Sequence, residues 1–225
     1  MTYHHGDLRR ALLKAADEAI TETGVATLSM RDLARRAGVS HAAPPHHFGD
    51  KAGLLTAFAT EGFEQLAKAL ATSRLASNSF VELGVTYIRF AVTKRALFEV
   101  MFRPDLYHPN DPDLLAARAK AADALYAAVI DFPDSILAPL APTPAPPAGL
   151  GAAAGTLAAD AVARPAKAGT AATAPAAVRT AGLAAWSMAH GFATLWLTGA
   201  YPDREQDPTE AARKLFAELT RDYAP

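Results

Sequence analysis

The chain has 225 residues, 51% of them apolar, and carries 22 Lys and Arg against 23 Asp and Glu for a formal charge of −1. That is enough chain to bury a real core, and it is not the composition of a disordered segment. The absence of cysteine excludes disulfides, thiolate metal centres and cysteine nucleophiles, and fits a reducing cytoplasm.

Taken in chain order, the first predicted helix runs from Asp7 to Thr23, with Leu8, Leu12, Ala16, Ala19 and Ile20 on one apolar stripe and Gly24 suited to its C′ position. A second helix starts at an expected capping box of Ser29 and Asp32, flanked by Leu28 and Leu33 as a hydrophobic staple. Met30, Leu33, Ala34 and Ala37 form its inner face, and Arg31, Arg35 and Arg36 lie outside. Gly38-Val39-Ser40 reads as a tight turn in which Gly38 takes positive φ and Ser40 caps a third, short helix over residues 41–47. Phe48 is expected to pack back on the first two helices, and Asp50 to cap a long helix from Lys51 to about Ser73. Two short helices joined by a Gly-containing turn make a helix-turn-helix, whose second helix enters the major groove by its N-terminal residues.

Beyond residue 75 the pattern stays helical. Phe80, Leu83, Tyr87, Ile88 and Phe90 to Val92 mark one helix, and Leu97 to Phe102 a short one. Pro104, Pro109 and Pro112 fence an irregular stretch, and Asp111-Pro112 starts the next helix through Leu115, Ala119, Ala122, Leu125, Tyr126 and Val129. Residues 138–177 hold seven prolines and three charges (Asp160, Arg164 and Lys167) and read as a long flexible Ala/Pro-rich insertion. A strongly apolar helix then spans 178–200, with Leu183, Trp186, His190, Ala193 and Leu197 on one face. Asp207-Pro208-Thr209-Glu210 starts the last helix, lined by Leu215, Phe216, Leu219 and Tyr223. No alternating strand pattern occurs, so the expected fold class is all-α.

The charge is distributed unevenly: residues 1–51 hold seven Lys and Arg against six Asp and Glu, and five of the seven histidines. Any DNA surface is therefore small and local. Ser40 and Lys51 lie at helix starts, where free N–H groups favour phosphate. His41 and Ala42 are placed to reach base edges, with His46, His47 and Arg31 as further DNA-binding candidates. The plain alternative is that Ser40 only caps and the histidines and arginines form a solvated surface. The pairs His4-His5 and His46-His47 lack the i, i+4 spacing of a zinc site, so no metal and no cofactor is expected. In the remainder, Tyr87, Phe90, Phe98, Met101, Phe102, Tyr126, Trp186 and His190 are candidates to line a ligand pocket. His190 is equally explained as a satisfied core histidine or part of a dimer seam. No nucleophile elbow, phosphate-cradling Gly loop or His-Glu-x-x-His run is present, so no enzyme is expected. Neither a membrane-spanning run nor an apolar signal core occurs, and the expected location is the cytoplasm.

The run Thr27-Leu28-Ser29-Met30-Arg31-Asp32-Leu33-Ala34-Arg35-Arg36-Ala37-Gly38-Val39-Ser40, followed by His46-His47-Phe48-Gly49-Asp50-Lys51 and Leu54-Leu55, resembles the TetR family of regulators. Trp186 to Thr194 resembles the Trp-His-Gly signature of one subgroup, and Leu97 to Phe102 is similar to the same subgroup. The resemblance implies a three-helix DNA-binding domain over 1–50 and a helical ligand-binding and dimerisation domain over 51–225. It also implies a homodimer built on the last two long helices as a four-helix bundle, a pseudo-palindromic double-stranded DNA operator, and repression relieved by a small-molecule effector. Two features depart from the pattern. Pro45 stands where similar proteins carry a phosphate-contacting Tyr, and Pro44-Pro45 at positions four and five of the reading helix should make it short and 3₁₀-like. The 138–177 insertion is also longer than the resemblance implies. A helical protein-interaction module without specific DNA binding, and an all-α enzyme, are the alternative readings.

Overall fold

The computed structural model describes residues 5–77, 79–130, 176–202 and 206–221, and every regular element among them is helical. Helices α1 (His5–Thr23), α2 (Met30–Arg36) and α3 (Ala43–Phe48) form the N-terminal head, with a 3₁₀ turn over Val25–Thr27. The long α4 (Lys51–Ser77) leads into α5 (Phe80–Thr93), α6 (Arg95–Met101), a 3₁₀ turn at Pro104–Leu106 and α7 (Pro112–Ile130). Helices α8 (Ala176–Thr198) and α9 (Pro208–Arg221) complete the described body. The expected insertion lies outside the described residues except for 176 and 177, which already belong to α8; Tyr223 also lies outside them.

The helix starts follow local chemistry. Asp111 Oδ1 accepts from the N–H groups of Asp113 and Leu114, both at 3.0 Å, and Asp207 Oδ1 accepts from Thr209 and Glu210 N–H at 2.9 and 3.1 Å. Asp50 does the same for Gly53 at 2.7 Å. These satisfy donors that an α-helix leaves orphaned at its first turn. Ser79 caps α5 by accepting from Glu82 N–H at 3.4 Å, a cap the sequence reading passed over. The capping box expected at Ser29 does not form: Ser29 sits at the N-cap with extended backbone, but its hydroxyl makes no cap bond. Asp32 turns instead to Arg35 and Arg36.

Packing follows the apolar stripes. In the head, Leu12, Ala16, Ala19, Ile20, Leu28, Leu33 and Ala34 are buried. In the body, α4 buries Leu54, Leu55, Phe58, Phe63, Leu66 and Leu70 along most of its length and lies chiefly against α7, which supplies Leu114, Ala117, Ala121 and Leu125. Each fully buried Leu or Phe contributes about 1.5–3 kcal/mol, so this seam carries much of the body's stability. Helix α9 docks on α5 through Phe216, whose ring lies over Gly84; a Cβ at Gly84 would come within 2.5 Å of a Phe216 ring carbon. Arg213 fastens the same contact with paired bonds of 2.9 and 3.0 Å to the Glu82 carboxylate. On α8 the inner face is Trp186, Ala189, Phe192, Ala193 and Trp196; Leu183, expected there, is 38% exposed at its edge.

Because the Phe216 ring occupies the space above Gly84, Gly84→Val should push α9 off α5. The expected loss is about 1–3 kcal/mol in urea denaturation, the usual range for overpacking a tight contact. Unchanged stability would mean that α9 is not seated in this way.

Candidate nucleic-acid interface and aromatic cluster

The turn between α2 and α3 is set by backbone bonds. Gly38 N–H donates to Arg35 O at 3.2 Å and Val39 N–H to Ala34 O at 2.9 Å, with Gly38 at φ 67°. That φ is left-handed and favours glycine. A second turn closes where Ala43 N–H donates to Ser40 O at 3.0 Å. Helix α3 therefore begins two residues later than the sequence reading placed it. Its N-cap is Ala42, not Ser40. The delay resolves the conflict posed by Pro44 and Pro45: both fall in the first turn, where their missing N–H groups have no intrahelical partner to lose. The first intrahelical bond is His46 N–H to Ala42 O at 3.1 Å. The helix is short, as expected, but α-helical rather than 3₁₀.

This geometry leaves Ser40, His41, Ala42, Pro45 and His46 exposed, with Pro44 turned into the core and His47 half-buried. Phe48 packs against α1, where the Arg9 guanidinium lies 5.8 Å from its ring centroid. The cations of α2 divide in two. Arg36 reaches Asp32 at 2.6 Å and Glu22 at 2.8 Å, and Arg35 pairs with Asp32. The arginine bonds hold the Asp32 carboxyl below the usual carboxylate range, Arg36 contributing most. Arg31 is exposed and has no partner among the described residues. The Lys51 ammonium donates to Val25 O at 3.1 Å and Ala26 O at 3.3 Å, stapling the start of α4 to the 3₁₀ turn between α1 and α2. Two of its three donors are thus committed within the chain, and one is left.

The expected pocket residues do not all meet. Tyr87 of α5, Phe98 of α6, Phe102 just beyond α6, and Trp186 and His190 of α8 form one cluster, with His190 ring centroids 4.5 Å from Phe102, 5.2 Å from Phe98 and 5.3 Å from Trp186. Met101 instead packs against Gly62 of α4, Tyr126 lies over Gly182 between α7 and α8, and Phe90 lines a groove between α4 and α5. Within the cluster, Trp186 Nε1–H donates to Tyr87 Oη at 3.2 Å, and Tyr87 Oη lies 2.9 Å from His190 Nδ1. The indole is a donor only, so the tyrosine hydroxyl accepts from it, and the buried O–H finds its own acceptor, among the described residues, in the Nδ1 lone pair. That assigns the neutral His190 tautomer with its proton on Nε2. Burial pushes the Tyr87 phenol up and pulls His190 down to about 4, with no neighbouring charge contributing to the His190 shift. The sequence flagged each of these residues; their joint hydrogen-bond chain spans about a hundred positions, and no local pattern reports it.

A path links the cluster to the head. Tyr107, in the loop after α6, donates its hydroxyl to Met101 O at 2.8 Å. The next residue, His108, donates its backbone N–H to Thr56 Oγ1 of α4 at 3.0 Å, and its ring lies 3.6 Å from the Asp50 carboxylate at the head–body junction.

His190 ordinarily titrates near 6.5 and in the folded protein near 4. Between those values the unfolded chain binds a proton that the native state refuses, so this group removes stability as pH falls through that window. His190→Phe should show a smaller loss of stability than the parent chain between pH 7 and pH 5 in chemical denaturation. Parallel curves would show that the imidazole is not held neutral.

Comparison with known proteins extends these observations. Residues 12–58 match the family model for bacterial regulatory proteins of the tetR family, and residues 80–219 match the Tetracyclin repressor-like C-terminal domain. The HTH-type transcriptional regulator BetI of Escherichia coli (strain K12 / DH10B) is 44% identical over 62 residues, 28% of this chain and 32% of that protein. BetI of Rhizobium meliloti is 33% identical over 106 residues, 45% of each chain. The chain thus spans less than half the length of the curated relatives it matches. A solved protein of unknown function from Rhodococcus sp. RHA1 is 29% identical over the full length of both chains, with a TM-score of 0.68. The TetR family regulator PfmR from Thermus thermophilus shares the fold at 19% identity, covering 93% of this chain and 97% of that one, with a TM-score of 0.56. With the helix-turn-helix head in place and both family models matched in order along the chain, the protein belongs to the TetR family of DNA-binding transcriptional regulators.

Proposed function

We propose that the protein is a homodimeric repressor that reads a pseudo-palindromic operator with residues 1–50 and releases it when a small molecule occupies the body formed by residues 51–225. The observation that carries the reading is the exposed rim of the head. Ser40, His41, Ala42 and His46 stand clear around α3, and Arg31 beside them is uncommitted to any carboxylate among the described residues. Arg31, Ser40 and the spare donor of Lys51 suit phosphate, which positions the protein without reading sequence. His41, Ala42, His46 and His47 suit the groove floor, Ala42 through a thymine methyl. Pro45, in the place of a phosphate-contacting Tyr, withdraws one hydrogen bond to the DNA backbone and leaves the positioning to the remaining contacts.

Dimerisation is supported by the outer face of α8. From residue 180 to 198 this helix has no Asp, Glu, Lys or Arg. It exposes Leu183, Met188 and Leu195, and α9 adds Leu215, at 36–48% exposure. Apolar side chains exposed along a charge-free stretch of helix mark an interaction surface. The effector response is supported by the aromatic cluster and by the bonds that tie the segment after α6 to Thr56 of α4, with the His108 ring 3.6 Å from the Asp50 carboxylate.

A gel shift against the region upstream of the protein's own gene tests the DNA reading, and a retarded band that weakens with salt is expected. Arg31→Ala should weaken binding to all sequences alike and flatten the log K against log salt slope by about one. A change in sequence preference would overturn the assignment of Arg31. No specific shift at any salt would overturn the repressor reading. Separately, Leu195→Arg should convert the dimer to monomer in sedimentation and abolish the shift; an intact dimer would move the seam elsewhere.

A further inference from the structure

We infer that the effector is an uncharged, flat, largely apolar molecule carrying a hydrogen-bond acceptor, held against the ring of Phe102 with that acceptor on His190 Nε2–H. The inference rests on the reading of this cluster as the effector site and adds the chemical class of its ligand.

The argument begins from an excess. Trp186, Tyr87, Phe98 and Phe102 would make a sound core with a fifth ring or a leucine at position 190. An imidazole there gives up hydration and is reconciled with the core only at Nδ1, through Tyr87. Its other nitrogen, Nε2, carries the remaining proton and has no partner among the described residues. His190 and Phe102 are half-buried, whereas Tyr87, Phe98 and Trp186 are buried. The accessible part of the cluster is therefore a phenyl ring beside a single N–H donor.

That pairing selects its ligand. An acceptor such as a carbonyl or ether oxygen satisfies Nε2–H, and a planar hydrocarbon covers the ring. A quaternary ammonium could lie on the rings but leaves Nε2–H unpaired. A carboxylate can accept from Nε2–H but gives up its hydration in a cluster whose side chains, Tyr87, Phe98, Phe102 and Trp186, carry no charge. Between α5, α7, α8 and α9, Leu83, Tyr87, Leu125, Ala189 and Phe216 bound a crevice of about 20 Å³, again without a charged side chain. It has room for one water and offers no charged group a counter-ion.

The test uses the full chain with Trp196→Phe, which leaves Trp186 as the one tryptophan. Four probes share a ring system: naphthalene, methyl 2-naphthoate, 2-naphthoate and a naphthyl trimethylammonium salt. Methyl 2-naphthoate should quench Trp186 saturably, with a Kd roughly ten- to a hundred-fold below those of the other three, the cost of leaving one buried donor unpaired or a charge uncompensated. His190→Phe should erase the preference of the ester over naphthalene, and His190→Gln, which keeps a side-chain N–H, should restore part of it. If the carboxylate or the ammonium binds as tightly as the ester, the cluster is an effector site but the class is wrong. If naphthalene equals the ester, the donor has no role and the inference fails. If none of the four quenches Trp186, the cluster is plain core, and the effector-site reading falls with it. Operator binding, followed by gel shift on the same protein without probe, is independent of all four outcomes.

Discussion

Everything in this molecule hangs on α4 being one uninterrupted helix of 27 residues that belongs to head and body at once. Its first residue, Lys51, holds the carbonyls of Val25 and Ala26, so the head cannot turn without moving the helix. Five residues on, Thr56 Oγ1 accepts from the backbone N–H of His108 at 3.0 Å and donates its own hydroxyl proton to Ala52 O at 2.7 Å. Further along, the stripe from Leu54 to Leu70 is sealed against α7. A rod clamped at three places transmits displacement because packed interiors shift between discrete arrangements and do not deform smoothly.

The sequence made the helices legible because their signals are local. Asp50, Asp111 and Asp207 cap where a polar residue precedes an apolar stripe, and all three form their bonds. The same logic failed at Ser29 and Ser40 for a physical reason. At Ser29 the neighbouring Asp32 is worth more to Arg35 and Arg36 than to a backbone N–H, and a charge-assisted pair outcompetes a neutral cap bond. At Ser40 the helix start is dictated by Pro44 and Pro45, which are comfortable only in a first turn, so the boundary slides to Ala43. Of the residues expected to meet DNA, Arg31, Ser40, His41, Ala42 and His46 are exposed, whereas His47 is half-buried and Lys51 spends two donors within the chain.

The body was legible only in part. Tyr87, Phe98, Phe102, Trp186 and His190 were set apart as aromatics at helical spacing, together with Phe90, Met101 and Tyr126. Periodicity says which face is buried but not which partner it meets. Met101 fills the space left by Gly62, and Tyr126 that left by Gly182. Each is a local fit between a ring or thioether and a missing Cβ, on helices whose adjacency the sequence does not encode. The Tyr87 bridge is the extreme case: its hydroxyl satisfies two side chains from a helix about a hundred residues away, and no pairwise pattern foretells a three-body bond.

Helix α8 joins these themes because its two faces do different work. Inward it presents Trp186 and His190 to Tyr87; outward, one position on, it presents Ser187 and Gly191, with Leu195 a turn further. These neighbouring positions share one backbone, so a displacement of the helix at His190 carries Gly191 and the outer surface with it. Gly191 sharpens the coupling, because nothing lies within 4 Å of where its Cβ would be and the backbone itself is the surface there. Under the proposed dimer, a ligand wedged at His190 would act on the seam through the width of one helix. Under the same proposal a second route would act on α4, through the bonds of Tyr107 to Met101 and of His108 to Thr56. Both routes end at the separation of the two heads, the one quantity to which a fixed operator spacing is sensitive.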